Sequence, residues 1–548
     1  MSVTQAVRFT DATSSVEYTS DPRYKKGAQH PLGVCAFVAL VLPCNSSDFL
    51  KSYRPIGELI VNNALRPSLK LLNDSLLQQI IQEAYELLEK KGVFVENNEA
   101  MKLFGDAGAL IDSSTRRVYI PSKLIEHALA SAPYSIKVHE ANGQKSYDVG
   151  GDAVHFDPGS AALWIFDHRT RSERKPVTSD LVLFHRLVQR LENFHFQSTG
   201  LISSDVPDKI ADCYRLYLAF HYCSKPIVTG TFINEGFKPM FEMLTAVRGG
   251  EKQLMEKPLA IFDACPSPPL KWSDLTAQSV IECARAGIPS EIISVPLMGA
   301  TAPVTLAAAL VQLTAENLSG VVLSQVAQAG APVIFGGSPL SFDLKTANAP
   351  MGAIETMMIN SAHCQIGKAL GLPTHAYMGL SDSKSVDAQA GLETGIGAIL
   401  AALSGVNVVS GGGMMDFENT QSLEKLVIDD EICGMAYRLL EGVAQRDDPV
   451  ALRLFDNLEN DFLAHPHTLQ WFQAEQWYPH ILDRRNYGEW DESGKPSLAD
   501  RASKQVEFLL SEKEVPKLDK DRGEELHRIM DAHARRFGIL QLPQISTK

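Results

Sequence analysis

Seven short, apolar, β-rich runs recur along the middle of the chain, starting at His195, Pro226, Leu259, Ile292, Pro332, Thr374 and Asn407. Successive starts are 31, 33, 33, 40, 42 and 33 residues apart. Between them lie helical patterns such as SDLTAQSVIECARAG and AIETMMINSAHCQIGKALG, and several close on AGIP, AGAP or LGLP. A helix stopped by Gly and followed at once by a buried strand is the βα repeat of a parallel sheet. Seven such units, with an eighth strand not located, predict an α/β chain built on a (β/α)8 TIM barrel. No G-x-G-x-x-G follows any strand, which argues against a dinucleotide fold.

The barrel core is expected over residues 191–435. Residues 1–56 are weakly patterned and form an irregular N-terminal extension. Residues 57–190 read as an N-terminal α+β region, with AVHFDPGSAALWIFDHRTRSERKPVT as a β-hairpin. Residues 436–548 read as a charged C-terminal helical segment. The run GVCAFVALVLPC, Gly33 to Cys44, is the only membrane-like stretch the sequence presents. It falls short of the ~20 apolar residues a spanning helix needs and is read as a packing segment. The formal net charge of −14 argues against nucleic acid or an anionic membrane as partner. Eight scattered cysteines, without a CxxC or a Cys/His cluster, read as free thiols in a reducing cytoplasm, and no metal site is predicted.

Barrel enzymes gather their chemistry at the C-terminal strand ends. Here those ends are Thr199-Gly200, Thr229 to Phe232, Asp263 to Pro266, Met298-Gly299-Ala300, Phe335 to Ser338, Tyr377-Met378-Gly379 and Ser410 to Met415. Small residues and rings dominate. Small residues admit a bulky ligand, and rings around a cavity favour a quaternary ammonium at roughly 1–2 kcal/mol per desolvated contact. An acid–base pair is almost absent from these ends, so hydrolysis or enolisation is poorly served. Moving a methyl group from a quaternary nitrogen needs no such pair, because a neutral amine leaves unaided. It needs positioning and desolvation.

SVPLMGATAPVTLAAALVQLTAENLSGVVLSQ, APVIFGGSP, LSDSKSVDAQAGLETGIGAILAALSGVNVVSGGG and EKLVIDDEI are similar to the trimethylamine methyltransferase family. LEKKGVFVENNEAMKLFGDAGALID and RKPVTSDLVLFHRLVQRLENFHF resemble its N-terminal half. The likeness runs from about Asp74 to the C-terminus. It implies a (β/α)8 barrel that passes a methyl group from a quaternary or tertiary amine, glycine betaine among them, to the Co(I) corrinoid of a separate small protein. No cofactor is then bound permanently. The pyrrolysine of the founding trimethylamine enzymes is not written in this chain, which points to the quaternary-amine branch. A homo-oligomer is also expected. Two alternatives stand beside this: the same donor with a folate acceptor, and a barrel kept only for binding or scaffolding.

On this reading Glu355 and Gln389 are the candidate catalytic residues. Phe156, Phe232, Phe335, Tyr377, Asp382 and Glu393 are the candidate substrate contacts. Met298, Gly299, Gly336, Gly337 and Gly412 are where the visiting cofactor approaches. Each has a plainer reading. Glu355 suits a helix dipole, Gln389 and Glu393 a helix start, Asp382 a turn, and the rings ordinary core. Arg169, Arg171 and Arg174 suit a betaine carboxylate or a solvated turn. His363-Cys364 reads as packing. DAHARRFG, Asp531 to Gly538, departs from a D-x-H-x-x-G corrinoid signature at Arg536, and only ten residues follow it.

Overall fold

The computed structural model describes residues 64–543 apart from 457, 459–460 and 514–516. The extension 1–56 and the run 33–44 lie outside the described residues. The chain divides into two compact units, Met1–Leu65 with Glu441–Tyr478, and Arg66–Leu440 with Pro479–Lys548. In the first, a short 3-10 turn at Leu452–Phe455 precedes the helix Pro466–Glu475. All that follows concerns the second.

Eight strands alternate with eight helices. They are β1 (His155–Pro158), α1 (Thr178–Val188), β2 (Gln197–Ser198), α2 (Ala211–Tyr222), β3 (Ile227–Thr229) and α3 (Phe237–Arg248). Next come β4 (Ala260–Ala264), α4 (Asp274–Ala286), β5 (Ser290–Ser294), α5 (Leu306–Ala327), β6 (Val333–Gly337) and α6 (Ile354–Ala369). β7 (His375–Tyr377), α7 (Ala388–Ser404), β8 (Val408–Gly412) and α8 (Leu423–Leu440) complete the series. The helix stops follow the sequence: Gly249, Gly287 and Gly405 end α3, α4 and α7 with φ of 91°, 67° and 69°, which an L side chain resists.

The α/β class is as expected, but the ladder is not one closed barrel. β2 to β6 form a five-stranded parallel sheet in chain order, and β7, β8 and β1 form a three-stranded one. Single parallel bridges, Phe156 to Phe194 and Phe335 to Thr374, link their edges. β1 was folded into the expected hairpin. Its register with β8 instead makes it a sheet strand, and the hairpin proper is Trp164–Asp167 with Ser172–Arg174.

Alternation along these strands sorts their side chains. Phe196, Val228, Ile261, Ile334 and Val408 form one small core with Ile136, Val138 and Val149 of the hairpin Ser135–His139/Ser146–Gly150. Two residues further along the same faces stand Asp263, Gly336 and Ser410, and two further again Cys265, Ser338 and Gly412. The hairpin therefore plugs the N-terminal end, and the chemistry lies above it. On the outside, α5 packs with the helices Asp74–Lys90 and Ser122–Ser131 in a second core. α5 is the one helix among the described residues long and apolar enough to cross a membrane, yet 78% of its apolar window is buried in the protein. It carries buried Gln312, Glu316 and Asn317, which mark a core helix.

Candidate functional site

A cavity of about 530 Å³ opens where the strands end. Cys265, Ile293, Val295 and Ser338 line it from the ends of β4, β5 and β6, and Tyr377 from β7. Loop residues Phe342, Ala349, Met351, Phe417 and Glu418 complete its wall. Glu418 sits in the four-residue connection between the short strands Met414–Met415 and Thr420–Ser422. Asp416, Phe417 and Glu418 run consecutively in the left-handed region at φ 48°, 55° and 67°. Each costs on the order of 1–2 kcal/mol against an ordinary conformation, so the connection must be held from outside. Asp429 accepts the Gly413 N–H at 2.7 Å, the Ser383 carbonyl accepts the Asp416 N–H at 3.0 Å, and Asn419 Nδ2 donates to the Asp416 carbonyl at 2.9 Å. Strain of this kind, fixed by its surroundings, aims a side chain. Here it aims Glu418.

Near Glu418 lies a group of carboxyls of which the sequence reading names only Asp263, as a strand end. Asp157 on β1, Asp263 on β4 and Glu291 on β5 project from strands buried on both faces. Ser410 Oγ donates to Asp157 Oδ1 at 2.8 Å. His375 Nε2 lies 3.0 Å from Ser410 Oγ and 3.5 Å from Glu291 Oε1. Burial pushes the His375 imidazole down to about 3, so it is neutral. With Ser410 Oγ already donating, Nε2 carries the proton and donates to it. Burial raises Asp157 well above the usual carboxylate range. Burial also raises Asp263 and Glu291, and the charges of Asp263 and Asp157 raise Glu291 further. Glu418 is pushed up to about 8 by burial and by the charge of Asp263. The expectation of a face almost devoid of acid–base groups is corrected: Glu418 stands in the lining, and three more buried carboxyls lie on the strands nearby.

Beside these acids, on α2, stands Arg215, the one buried arginine among the described residues. Its Nη1 reaches the Thr199 carbonyl at 3.5 Å, its Nε has no partner, and its guanidinium covers the Phe232 ring at 4.4 Å. Burial lowers it to about 10, so it remains a cation at neutral pH.

The residues singled out from sequence fall into three places. Tyr377 lines the cavity. Asp382 and Glu393 brace it: Asp382 accepts the Met351 and Gly352 N–H groups at 3.0 and 2.8 Å, and Glu393 accepts Ser381 Oγ at 2.6 Å and the Asp382 N–H at 2.8 Å. Gln389 is exposed and donates to Glu393 at 2.9 Å, while Glu355 is exposed in the first turn of α6. Phe156 and Phe335 are buried, Phe156 edge-on to Tyr437 and Phe335 stacked on His363 at 4.7 Å. The half-exposed Phe232 carries Arg215. Met298 lies in a two-residue strand beside Leu340–Ser341, and Gly299 turns at φ 88°. Gly336 clears space for the site, since a Cβ there would lie 2.8 Å from the Ile292 carbonyl and 3.1 Å from Glu291. Gly337 does the same for His363 and Gly412 for Phe194. Of the hairpin arginines, Arg174 pairs with Asp180 at 2.7 Å and Asp167 at 2.9 Å, Arg169 with Glu507 and Arg171 with Asp500. The carboxylates already engage them.

A parallel α/β scaffold here presents a small cavity lined by apolar side chains and rings, with Glu418 as the carboxyl in its lining. Residues 54–538 match the family model "Trimethylamine methyltransferase (MTTB)". The chain is 30% identical to the trimethylamine methyltransferase of Methanosarcina thermophila over 467 residues, 83% of this chain and 95% of that one. It is 28% identical to the glycine betaine methyltransferase of Desulfitobacterium hafniense strain Y51 over 478 residues, 86% of this chain and 99% of the other. The crystal structure of the Methanosarcina barkeri monomethylamine methyltransferase covers 86% of this chain and 95% of its own at 13% identity and a TM-score of 0.40. The chain belongs to the trimethylamine methyltransferase family and is an enzyme of the methyltransferase class.

Proposed function

We propose that the protein transfers a methyl group from a quaternary or tertiary methylated amine to the Co(I) corrinoid of a separate protein. The observation that carries this reading is Glu418, held by a strained connection in a cavity it shares with Tyr377 and Phe417. A permanently charged ammonium meets ring faces on the wall and a carboxylate at the end. When the methyl leaves, the nitrogen keeps the bonding pair and departs neutral, so no proton moves. A tertiary donor must first carry a proton, and a carboxyl held at about 8 supplies it near neutral pH.

A partner protein that docks over the strand ends supplies the cobalt nucleophile, and the apolar wall keeps water from the reacting centre. Arg215 stands behind the lining and balances the charge of Asp212 and Asp263. We also read the five- and three-stranded sheets as arcs of one (β/α)8 ring, with the Phe156–Phe194 and Phe335–Thr374 bridges as its seams.

Incubation with a Co(I) corrinoid protein and a panel of glycine betaine, proline betaine, carnitine, γ-butyrobetaine and trimethylamine tests the assignment. At least one donor should convert the acceptor to its methylated spectrum. Failure with all of them, across several corrinoid proteins, contradicts it.

A further inference from the structure

One cluster in the same unit serves none of this chemistry. Asp212 and Cys213, in the first turn of α2, meet His533 of the C-terminal helix Lys520–Arg536. A carboxylate oxygen, the thiol sulfur and a ring nitrogen all lie within 4.8 Å of one another. All three residues are buried, and His533 is only 2% exposed. Neither ring nitrogen of His533 has a hydrogen-bond partner, an arrangement that native interiors avoid. The His533 in question is the histidine of DAHARRFG, the motif that no corrinoid domain explains.

The remaining contacts leave ligand capacity free. Asp212 accepts the Cys213 N–H at 2.7 Å and the Phe232 N–H at 3.0 Å, one on each oxygen, so each retains a lone pair. Cys213 Sγ donates to the Gly236 carbonyl at 3.5 Å. Sulfur, imidazole and carboxylate form a mixed donor set suited to a borderline cation. A thiolate, a carboxylate and a neutral imidazole also cancel a double positive charge, which is what a buried site requires. Tetrahedral ligands at the usual bond lengths stand about 3.3–3.8 Å apart, so the side chains close in by about 1.5 Å at most.

We propose that Asp212, Cys213 and His533 bind one zinc ion, with the Gly236 carbonyl beside the fourth position. The ion ties three distant segments together: the start of α2, the loop after β3 and the C-terminal helix. Asp212 also fixes the Phe232 N–H, so the ion steadies the strand-end loop on which Arg215 rests. Its role is structural, since all three ligands are protein-buried and none lines the cavity.

The test uses the full-length chain without an affinity tag. Elemental analysis after purification should give about one zinc per chain, and a strong chelator should lower the melting temperature, with zinc alone restoring it. Substitution by Co2+ should give a thiolate-to-cobalt charge-transfer band that Cys213→Ser removes. Zinc uptake should fall at least tenfold in His533→Gln. Purified wild-type protein that holds no zinc and takes up none at micromolar concentrations overturns the proposal without recourse to a variant. Zinc that binds equally well to Cys213→Ser and His533→Gln overturns it too.

Discussion

Ser410 on β8 donates its hydroxyl to Asp157 on β1 at 2.8 Å, and His375 on β7 backs the same hydroxyl at 3.0 Å. The bond crosses from one strand to its neighbour directly beneath the cavity. It fixes Ser410 as the donor and Asp157 as the acceptor, and leaves the second Asp157 oxygen without a partner.

Removing the donor is therefore worse than neutralising the acceptor. Ser410→Ala strands a buried oxygen and should cost about 1–3 kcal/mol in urea unfolding. Asp157→Asn keeps an oxygen to accept the Ser410 hydroxyl and removes a charge that burial disfavours, and should cost less than about 1 kcal/mol. Equal losses would contradict the assigned hydrogen bond.

Glu418→Gln keeps the shape of the connection and removes its charge. Binding of tetramethylammonium, followed by calorimetry, should weaken by at least about tenfold, because the buried charge partner is lost. The melting temperature should hold or rise, since a carboxyl under burial strain becomes a neutral amide.

The pH dependence follows from the same group. Glu418 is raised to about 8 from an ordinary value of 4.5. Its contribution to folding is fully present below that ordinary value and is lost as pH rises through about 8, so the ligand-free protein loses stability over that range. Cation binding runs the other way. It favours the ionised form, so affinity should rise from pH 6 and level off above about 8, with proton release seen as buffer-dependent heats. A Glu418→Gln variant should lose both trends.

Arg215 should steady the buried acids rather than choose among donors. In Arg215→Met urea unfolding should lose about 3–5 kcal/mol, because the carboxyls beside it lose their compensating cation. The ratio of betaine to choline-type binding should not change. A fall in that ratio with stability intact would contradict this placement.

How much of this was legible beforehand differs by residue. The Gly stops and β-rich runs place β2 to β8 well, because a strand buried on both faces writes a continuous apolar signal. β1 was hidden: HFDP is four residues long and runs straight into a true hairpin. Asp263 and Glu291 were in plain view in IFDACP and SEIIS. Asp263 stands among the strand ends but shows no partner in sequence, because Glu291 precedes the run that begins at Ile292 and alternation of two carries the same face one step deeper. A carboxylate inside a run otherwise apolar was the available signal. Glu418 had none, since its role depends on a backbone conformation that DFEN does not announce. Gly336 was chosen as a place where a cofactor approaches, and in the fold it clears room for Glu291 and His375.

The most direct test is a crystal structure of the protein soaked with a quaternary amine carrying a heavy-atom tail. The account predicts the ammonium in the cavity, against Tyr377 and Phe417 and within contact of Glu418. An ammonium bound elsewhere, with this cavity left to water at saturating ligand, would contradict it.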